Sequence, residues 1–251
     1  MEEISILTPT YDRRKFVELM KCNVKNFDYD KEKITWIILD SWSIKGDNAP
    51  PLFEKDELEK VKKELHPISI DYTYLSKAMT IGQKRNWLSK RAKTKYMICM
   101  DSDDLYVPEY LQYSINTLKD NKKECCGSNQ MIFMYPKKDY LTTFIQCEAL
   151  RQIHEATLCY TKKHYKRMNG FCNSGFGEGS KMVDGCNPNF FILTQVASCM
   201  MCICHDDNSV PKDKFITKNN KIITEFDTAI DEHIKVLKDI FSPDENDYVV
   251  V

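Results

Sequence analysis

Asp101, Asp103 and Asp104 follow directly on the apolar run Tyr96-Met-Ile-Cys-Met100. Apolar residues at this density, with no helical alternation, read as a buried strand. Three carboxylates at the end of such a strand repel one another and lose solvation. A divalent cation would compensate them, and hard oxygen ligands suit magnesium or manganese. A solvated acidic turn before a helix begun at Pro108 accounts for the same residues without any ligand. Taken alone, the stretch leaves both readings open.

The whole chain narrows the classes. Its 251 residues suit one large domain, or one domain with an elaborated end, and 42% hydrophobic with 11% aromatic content is enough for a core. Lys plus Arg (36) nearly equals Asp plus Glu (37), so no bulk charge argues for nucleic acid or an anionic membrane as partner. The acidic start, Met1-Glu-Glu-Ile-Ser-Ile-Leu7, resembles neither a signal peptide nor a membrane span, and the expected location is the cytoplasm. Eleven cysteines, an odd number, fit reduced core thiols better than a disulfide frame.

The elements that must position the acids come before them. Glu3 to Leu7 reads as a strand ending in Thr8-Pro-Thr-Tyr11, with Asp12 as a cap for a helix through Phe16, Leu19, Met20 and Val24. Ile34 to Leu39 reads as a second buried strand, ending at Asp40-Ser-Trp-Ser43, and Leu52 to Leu65 has helical spacing. Ile68 to Leu75 alternates as a strand, and Gly82 opens a helix with Trp87, Leu88 and Ala92 on one side. Strands alternating with helices predict a mostly parallel α/β sheet covered on both faces, with ligands outside the carboxyl ends of its strands. Three strand ends are polar or acidic at that edge: Thr8 with Thr10, Asp40, and Asp101 with Asp103. Their convergence favours a site over an acidic turn.

Further on, Met131 to Tyr135 and Phe144 to Cys147 read as strands, His164 to Met168 as part of a helix, and Asn169 to Gly179 as a loop. Phe190 to Cys204 holds one or two strands ending at His205-Asp-Asp-Asn-Ser209, and a helical stripe runs from Glu225 to Phe241.

In this order the motifs resemble the family-2-type nucleotide-sugar glycosyltransferases of GT-A fold. The resemblance is carried by Ile4 to Arg13, by Trp36 to Ser43, by Gly82-Gln-Lys-Arg-Asn86, by the Asp-x-Asp of Asp101 and Asp103, and by Asn173-Ser-Gly-Phe-Gly-Glu-Gly179. It implies one GT-A (Rossmann-like) domain over residues 1–241, a mixed and mostly parallel central sheet flanked by helices. Residues 1–120 would form the nucleotide-binding half, 121–241 the acceptor-binding half and 242–251 a flexible tail. It implies a metal-dependent transfer of a sugar from a UDP- or GDP-sugar to a glycan or other hydroxyl acceptor, with inversion and with Mn2+ or Mg2+. The Lys-, Asn- and Ile-rich composition with few glycines fits an AT-rich genome, and the resemblance extends to compact enzymes of large DNA viruses.

Carried across by position, the resemblance makes Thr8, Pro9, Thr10 and Tyr11 the nucleoside contacts and gives Asp40 a base edge. Lys84 or Arg85 would approach base or diphosphate. Asp103 would ligate the metal, Asp101 would meet ribose or metal-bound water, and Glu178 would be the general base. His205 is either a further metal ligand or a strand-end histidine. Two departures stand out. Ser41 replaces the second acid of the family's Asp-Asp pair, and Gly179 replaces the acid that usually follows Glu178, leaving Asp184 as the nearest alternative.

Other features read more plainly. Cys199-Met-Met-Cys202 has zinc-like spacing but no second pair, so buried thiols are expected, with Cys172 and Cys186 single. His154-Glu155 starts a zinc-protease motif that fails at Leu158; the resemblance puts the pair near the acceptor side, where either residue would touch acceptor or be a polar helix end, the latter being favoured. Trp87 reads as core, while Trp42 is either core or a stacking surface. Lys218 to Lys221 reads as a turn rather than a lid. A nucleotidyltransferase is disfavoured because Thr8 to Asp12 contains no glycine for a phosphate loop. A catalytically silent sugar- or nucleotide-binding protein stays open because of Gly179.

Overall fold

The structure, a computed structural model, describes residues 1–44, 46, 48–148, 152–183, 189–208, 212–216, 221–222 and 230–242. Asp184, Cys186, Ser209, Lys218 to residue 220, the stripe from Glu225 to residue 229 and the tail beyond 242 lie outside the described residues.

In chain order the first half carries β1 (Ile4–Thr10), α1 (Val17–Asn26), β2 (Ile34–Ser43), α2 (Lys55–Glu64), β3 (Ser69–Met79), α3 (Ile81–Arg91), β4 (Tyr96–Cys99), β5 (Leu105–Tyr106) and α4 (Tyr110–Asp120). There follow β6 (Cys125–Ser128), β7 (Gln130–Tyr135), β8 (Leu141–Gln146), β9 (His154–Thr161), α5 (Lys162–Arg167), α6 (Ser180–Val183), β10 (Phe191–Leu193), β11 (Met200–Ile203), β12 (Lys221–Ile222) and α7 (Asp231–Phe241).

A seven-stranded sheet runs β10-β6-β9-β4-β1-β2-β3. It is mostly parallel; β9 alone is inserted antiparallel, between β4 and β6. Its strands obey the period-two rule, with alternate side chains on opposite faces. Ile4, Ile6, Trp36, Ile38 and Ile98 join the core formed with α1 and α4, whereas Leu7, Ile37, Leu39, Met97 and Cys99 join the one formed with Leu88 of α3 and Met182 of α6. Burial on both faces is why these strands are almost uninterrupted apolar runs in sequence.

The second sheet, of order β12-β8-β7-β11-β5, was not expected from the sequence. Residues 101–104 form the crossing from the end of β4 to the start of β5, so the acidic cluster sits where the two sheets meet. Asn23 of α1 secures that crossing, donating to the Asp104 carbonyl at 2.9 Å and accepting from the Tyr106 amide at 2.9 Å. Asp104 is buried, and its Oδ1 accepts from the Ile203 amide at 3.0 Å.

Two local expectations change, and a third is narrowed to one of its alternatives. Asp12 does not cap a helix; it takes a left-handed φ of 49° in the turn after β1, and α1 is entered through a 3-10 turn at Arg14–Phe16 with no side-chain cap. His154 and Glu155 begin β9 rather than end a helix, because residues 154–161 pair with β4 and β6. Phe190 to Cys204 resolves into two strands, β10 and β11, joined by a short 3-10 turn. Among the described residues no helix is long and apolar enough to cross a membrane.

Candidate active site

A cleft of about 680 Å³ opens at the carboxyl ends of β1 and β4, the edge where doubly wound sheets bind ligands. Pro9, Thr10, Tyr11, Lys84, Arg85, Asp101, Asp103 and Glu178 all line it. Thr8, Asp40 and His205 do not. Thr8 is fully buried, its hydroxyl accepting from Trp36 Nε1 at 2.9 Å. Asp40, expected at a base edge, turns the other way: its Oδ2 accepts from the Leu52 amide at 2.7 Å and from the Tyr72 hydroxyl at 3.0 Å. Burial raises the pKa of Asp40, against these two hydrogen bonds. Trp42 donates to the Ala49 carbonyl and the Tyr74 hydroxyl, and Trp87 packs against the core under α3.

On one side of the cleft Asp103 is held between two partners. Arg13 Nε donates to its Oδ2 at 2.8 Å, and His205 Nε2 lies 3.2 Å from the same oxygen. Burial opposes ionisation of Asp103, yet His205 and Arg13 outweigh it and hold the carboxyl well below the usual carboxylate range. Arg13 also donates to the Asp207 carbonyl at 2.8 Å, tying the turn after β1 to the turn after β11. The His205 imidazole is 1% exposed and packs against the Phe16 ring, the centroids 4.7 Å apart and the planes tilted by 45°.

Across the cleft, Arg85 binds two carboxylates at once. Its Nε donates to Glu178 Oε1 at 2.7 Å, and its Nη2 donates to Asp101 Oδ2 at 3.0 Å. The same Nη2 lies 2.9 Å from Asp101 Oδ1, but without hydrogen-bond alignment, so that buried oxygen keeps an unfilled acceptor site. Burial raises the Asp101 pKa despite Arg85, and the charges of Asp103 and Glu178 add to the rise. The backbone amide of Asp101 donates to the Tyr106 hydroxyl at 2.7 Å, which in turn donates to the Ala156 carbonyl of β9.

The helix that brings Arg85 here is well specified. Thr80 and Gln83 form a capping box at the start of α3, a pattern written in the sequence as Thr80-x-x-Gln83. Gly82 allows the helix to touch the loop that carries Glu178: its amide donates to the Ser174 carbonyl, and a Cβ there would lie 1.7 Å from the Cys172 carbonyl oxygen. Lys84, on the same turn, donates to the Thr10 and Ser41 carbonyls at 2.7 and 2.5 Å and so clamps the ends of β1 and β2. Burial lowers its pKa to about 8, against the pull of Asp40.

Sequence reasoning missed Arg13 as an anchor and undervalued Glu155. The half-buried Glu155 lines the cleft, and its Oε1 accepts from the Gly179 amide at 3.4 Å. Burial, and then the charge of Glu178, push its pKa up to about 7.

Asp101, Asp103 and His205 offer the donor types a divalent cation takes, two carboxylates and an imidazole, and one buried oxygen of Asp101 lacks a hydrogen bond, but their ligand atoms do not close into one cluster; among the described residues the group that does is Asp104, His154 and Cys202. The cysteines do not build a zinc site of the expected kind. Cys199, Cys202 and Cys204 are buried thiols, and Cys202 lies near Asp104 and His154 without a fourth such donor among the described residues.

Comparison with known proteins follows the same lines. The family model for glycosyl transferase family 2 matches residues 5–179. A search of the curated proteins gives no match. Among solved structures, the mannosyltransferase PcManGT of Pyrobaculum calidifontis, in complex with GDP-Man and Mn2+, superposes with a TM-score of 0.59 at 16% identity, covering 85% of this chain and 59% of that one. S. aureus TarS 1–349 in complex with UDP-GlcNAc gives 0.57 at 13% identity, covering 82% of this chain and 60% of that one. The same TarS segment with UDP gives 0.58 at 12%, covering 95% and 65%. At these identities the likeness is one of fold, and the chain spans about three fifths of the length of these structures.

Proposed function

The chain belongs to glycosyl transferase family 2, and from that premise we propose that it transfers a sugar from a nucleoside-diphosphate sugar to a hydroxyl acceptor, with inversion and with Mn2+ or Mg2+. One observation carries the reading. A single cleft at the strand ends is lined by Asp101 and Asp103 and by two glutamates, Glu155 and Glu178.

The nucleoside would lie along Pro9, Thr10 and Tyr11, with a UDP- or GDP-sugar as donor; the fold neighbours crystallised with GDP-Man, UDP-GlcNAc and UDP support that class. Asp103 and Asp101, with His205 behind them, would hold the cation. When bound, it supplies positive charge against the leaving diphosphate. Arg13 keeps Asp103 ionised and fixed, and Arg85 keeps Asp101 beside it. The acceptor hydroxyl, a weak nucleophile at neutral pH, approaches from the glutamate side, and one of that pair takes its proton. With separate groups for metal and base, a single in-line displacement, and therefore inversion, is the reading proposed.

The test is calorimetric titration with UDP and GDP, each with and without Mn2+, followed by a screen for hydrolysis of nucleotide sugars. Binding of at least one nucleotide, weakened by metal removal, is expected. Binding of neither ends the reading.

A further inference from the structure

Resting on that reading of the cleft, the inference concerns which carboxylate takes the proton. At Gly179, where the resemblance leads one to expect a second acid after Glu178, the side-chain space is already filled. A Cβ built on Gly179 would stand 2.3 Å from Cγ and 3.3 Å from Cδ of Glu155, whereas carbon atoms in ordinary contact keep about 3.5–4.0 Å apart. The φ of Gly179 is outside the left-handed region, so the glycine is there for room and not for backbone freedom. A carboxylate therefore does stand beside residue 179; it arrives from the second residue of β9.

We propose that Glu155 is the general base, a carboxylate delivered from β9 into the space left by Gly179, and that Glu178 is the positioning residue beside it. Glu178 is already engaged where it lies. Its side chain is 5% exposed, and its Oε1 accepts from Arg85 Nε at 2.7 Å. Of the other carboxylates lining the cleft, Asp101 shares Arg85, Asp103 is bound by Arg13, Asp207 is paired with Lys15, and Asp12 is exposed on the Asp103 side. Glu155 lines the cleft, among the described residues no cation is bonded to it, and its Oε1 accepts from the Gly179 amide at 3.4 Å. Its raised pKa, near neutrality, is where a general base works best.

A lone pair of the acceptor oxygen forms the bond to the anomeric carbon. The bond from that carbon to the diphosphate oxygen breaks, its electron pair leaving on the diphosphate. The acceptor proton passes to Glu155, which becomes a neutral carboxylic acid and later releases it to water.

The experiment compares wild type with Glu155→Gln, Glu155→Ala, Gly179→Asp and the double variant Glu155→Ala/Gly179→Asp. Nucleotide binding is measured by calorimetry, and sugar transfer is measured across pH. Glu155→Gln, nearly isosteric, is expected to bind nucleotide within about threefold of wild type and to lose transfer by roughly 10²–10⁴-fold. Gly179→Asp alone collides with Glu155 and is expected to be impaired. Combined with Glu155→Ala, which empties the space, it should recover at least tenfold over Glu155→Ala, with the acid limb of the rate profile moved below the wild-type position. Transfer retained within tenfold in Glu155→Gln overturns the assignment. So does a double variant no better than Glu155→Ala. Loss of nucleotide binding in the wild type itself removes the reaction, and the base with it, and is told apart by the calorimetry.

Discussion

Arg85 and Glu178 form an ion pair at 2.7 Å in which neither side chain is more than 5% exposed. Because the same guanidinium also holds Asp101, one side chain of α3 joins the end of β4 to the loop on the far side of the cleft. Breaking a buried pair by removing one member costs about 3–5 kcal/mol, since the charge left behind has no compensation. Arg85→Gln strands two carboxylates and should lose at least that much in urea unfolding. Arg85→Lys should not rescue it, because an ammonium cannot reproduce the planar fork that meets both acids. A loss below about 1 kcal/mol would mean that the three charges are not buried together.

Glu155 gives the stability a pH dependence of definite sign. The folded pKa of Glu155, about 7, lies above its ordinary 4.5, so between these values the folded chain binds more protons than the unfolded one. Stability contributed by this group is therefore complete below pH 4.5 and is lost as pH rises through 7. The groups facing it are Glu178, which adds to the rise, and Arg85, which opposes it. Glu155→Gln should accordingly unfold at a higher temperature than wild type at pH 8, by about 1–3 kcal/mol of stability. The advantage should shrink at pH 5. A gain independent of pH would mean that charge at Glu155 is not its source.

The strands of the first half were legible because burial on both sheet faces leaves apolar runs that end abruptly at the cleft, as Tyr96 to Met100 does before Asp101. Which way an end residue turns was not legible. Asp40 and Asp101 look alike in sequence, yet Asp40 is captured by the Leu52 amide, a contact that depends on the path of the chain after Ser43. Glu155 was hidden for a related reason. Its place beside Gly179 follows from the antiparallel insertion of β9, and no periodicity encodes which strand enters a sheet from the second half of a chain. The crossing at residues 101–104 was read as a metal edge, but its role as the joint between two sheets needed the pairing of β5 with β11.

Metal removal gives a third prediction. Under the proposed function, nucleotide affinity in the presence of Mn2+ should fall at least tenfold on adding a chelator. Asp103→Asn should bind nucleotide equally weakly with and without the metal. The substitution also leaves Arg13 and His205 facing a neutral amide, so some loss of stability should accompany it. Metal-responsive affinity in Asp103→Asn would remove Asp103 from the ligand set.

Asp40 separates a structural from a recognition role. Its Oδ2 accepts two hydrogen bonds, and bonds to a charged acceptor are worth about 1.5–3 kcal/mol each. Asp40→Asn should therefore destabilise the fold while leaving the preference between uridine and guanosine diphosphates unchanged. A switched preference with unchanged stability would restore Asp40 to the base edge.

Gly82 offers a case where two effects have opposite signs and their sizes decide. At an exposed helix position Ala is favoured over Gly by about 0.8–1.0 kcal/mol. Here a Cβ would meet the Cys172 carbonyl oxygen at 1.7 Å, a backbone atom of the loop that Gly82 itself anchors through Ser174. That oxygen cannot rotate away, so either α3 or the loop must shift, at about 1–3 kcal/mol or more for overpacking. Gly82→Ala should therefore destabilise despite its helix propensity. Because the loop ends at Glu178 and Gly179, the shift should also pull Glu178 from Arg85 and Gly179 from Glu155, lowering transfer more than nucleotide binding. A variant as stable as wild type with unchanged transfer would mean that α3 and this loop are not in contact.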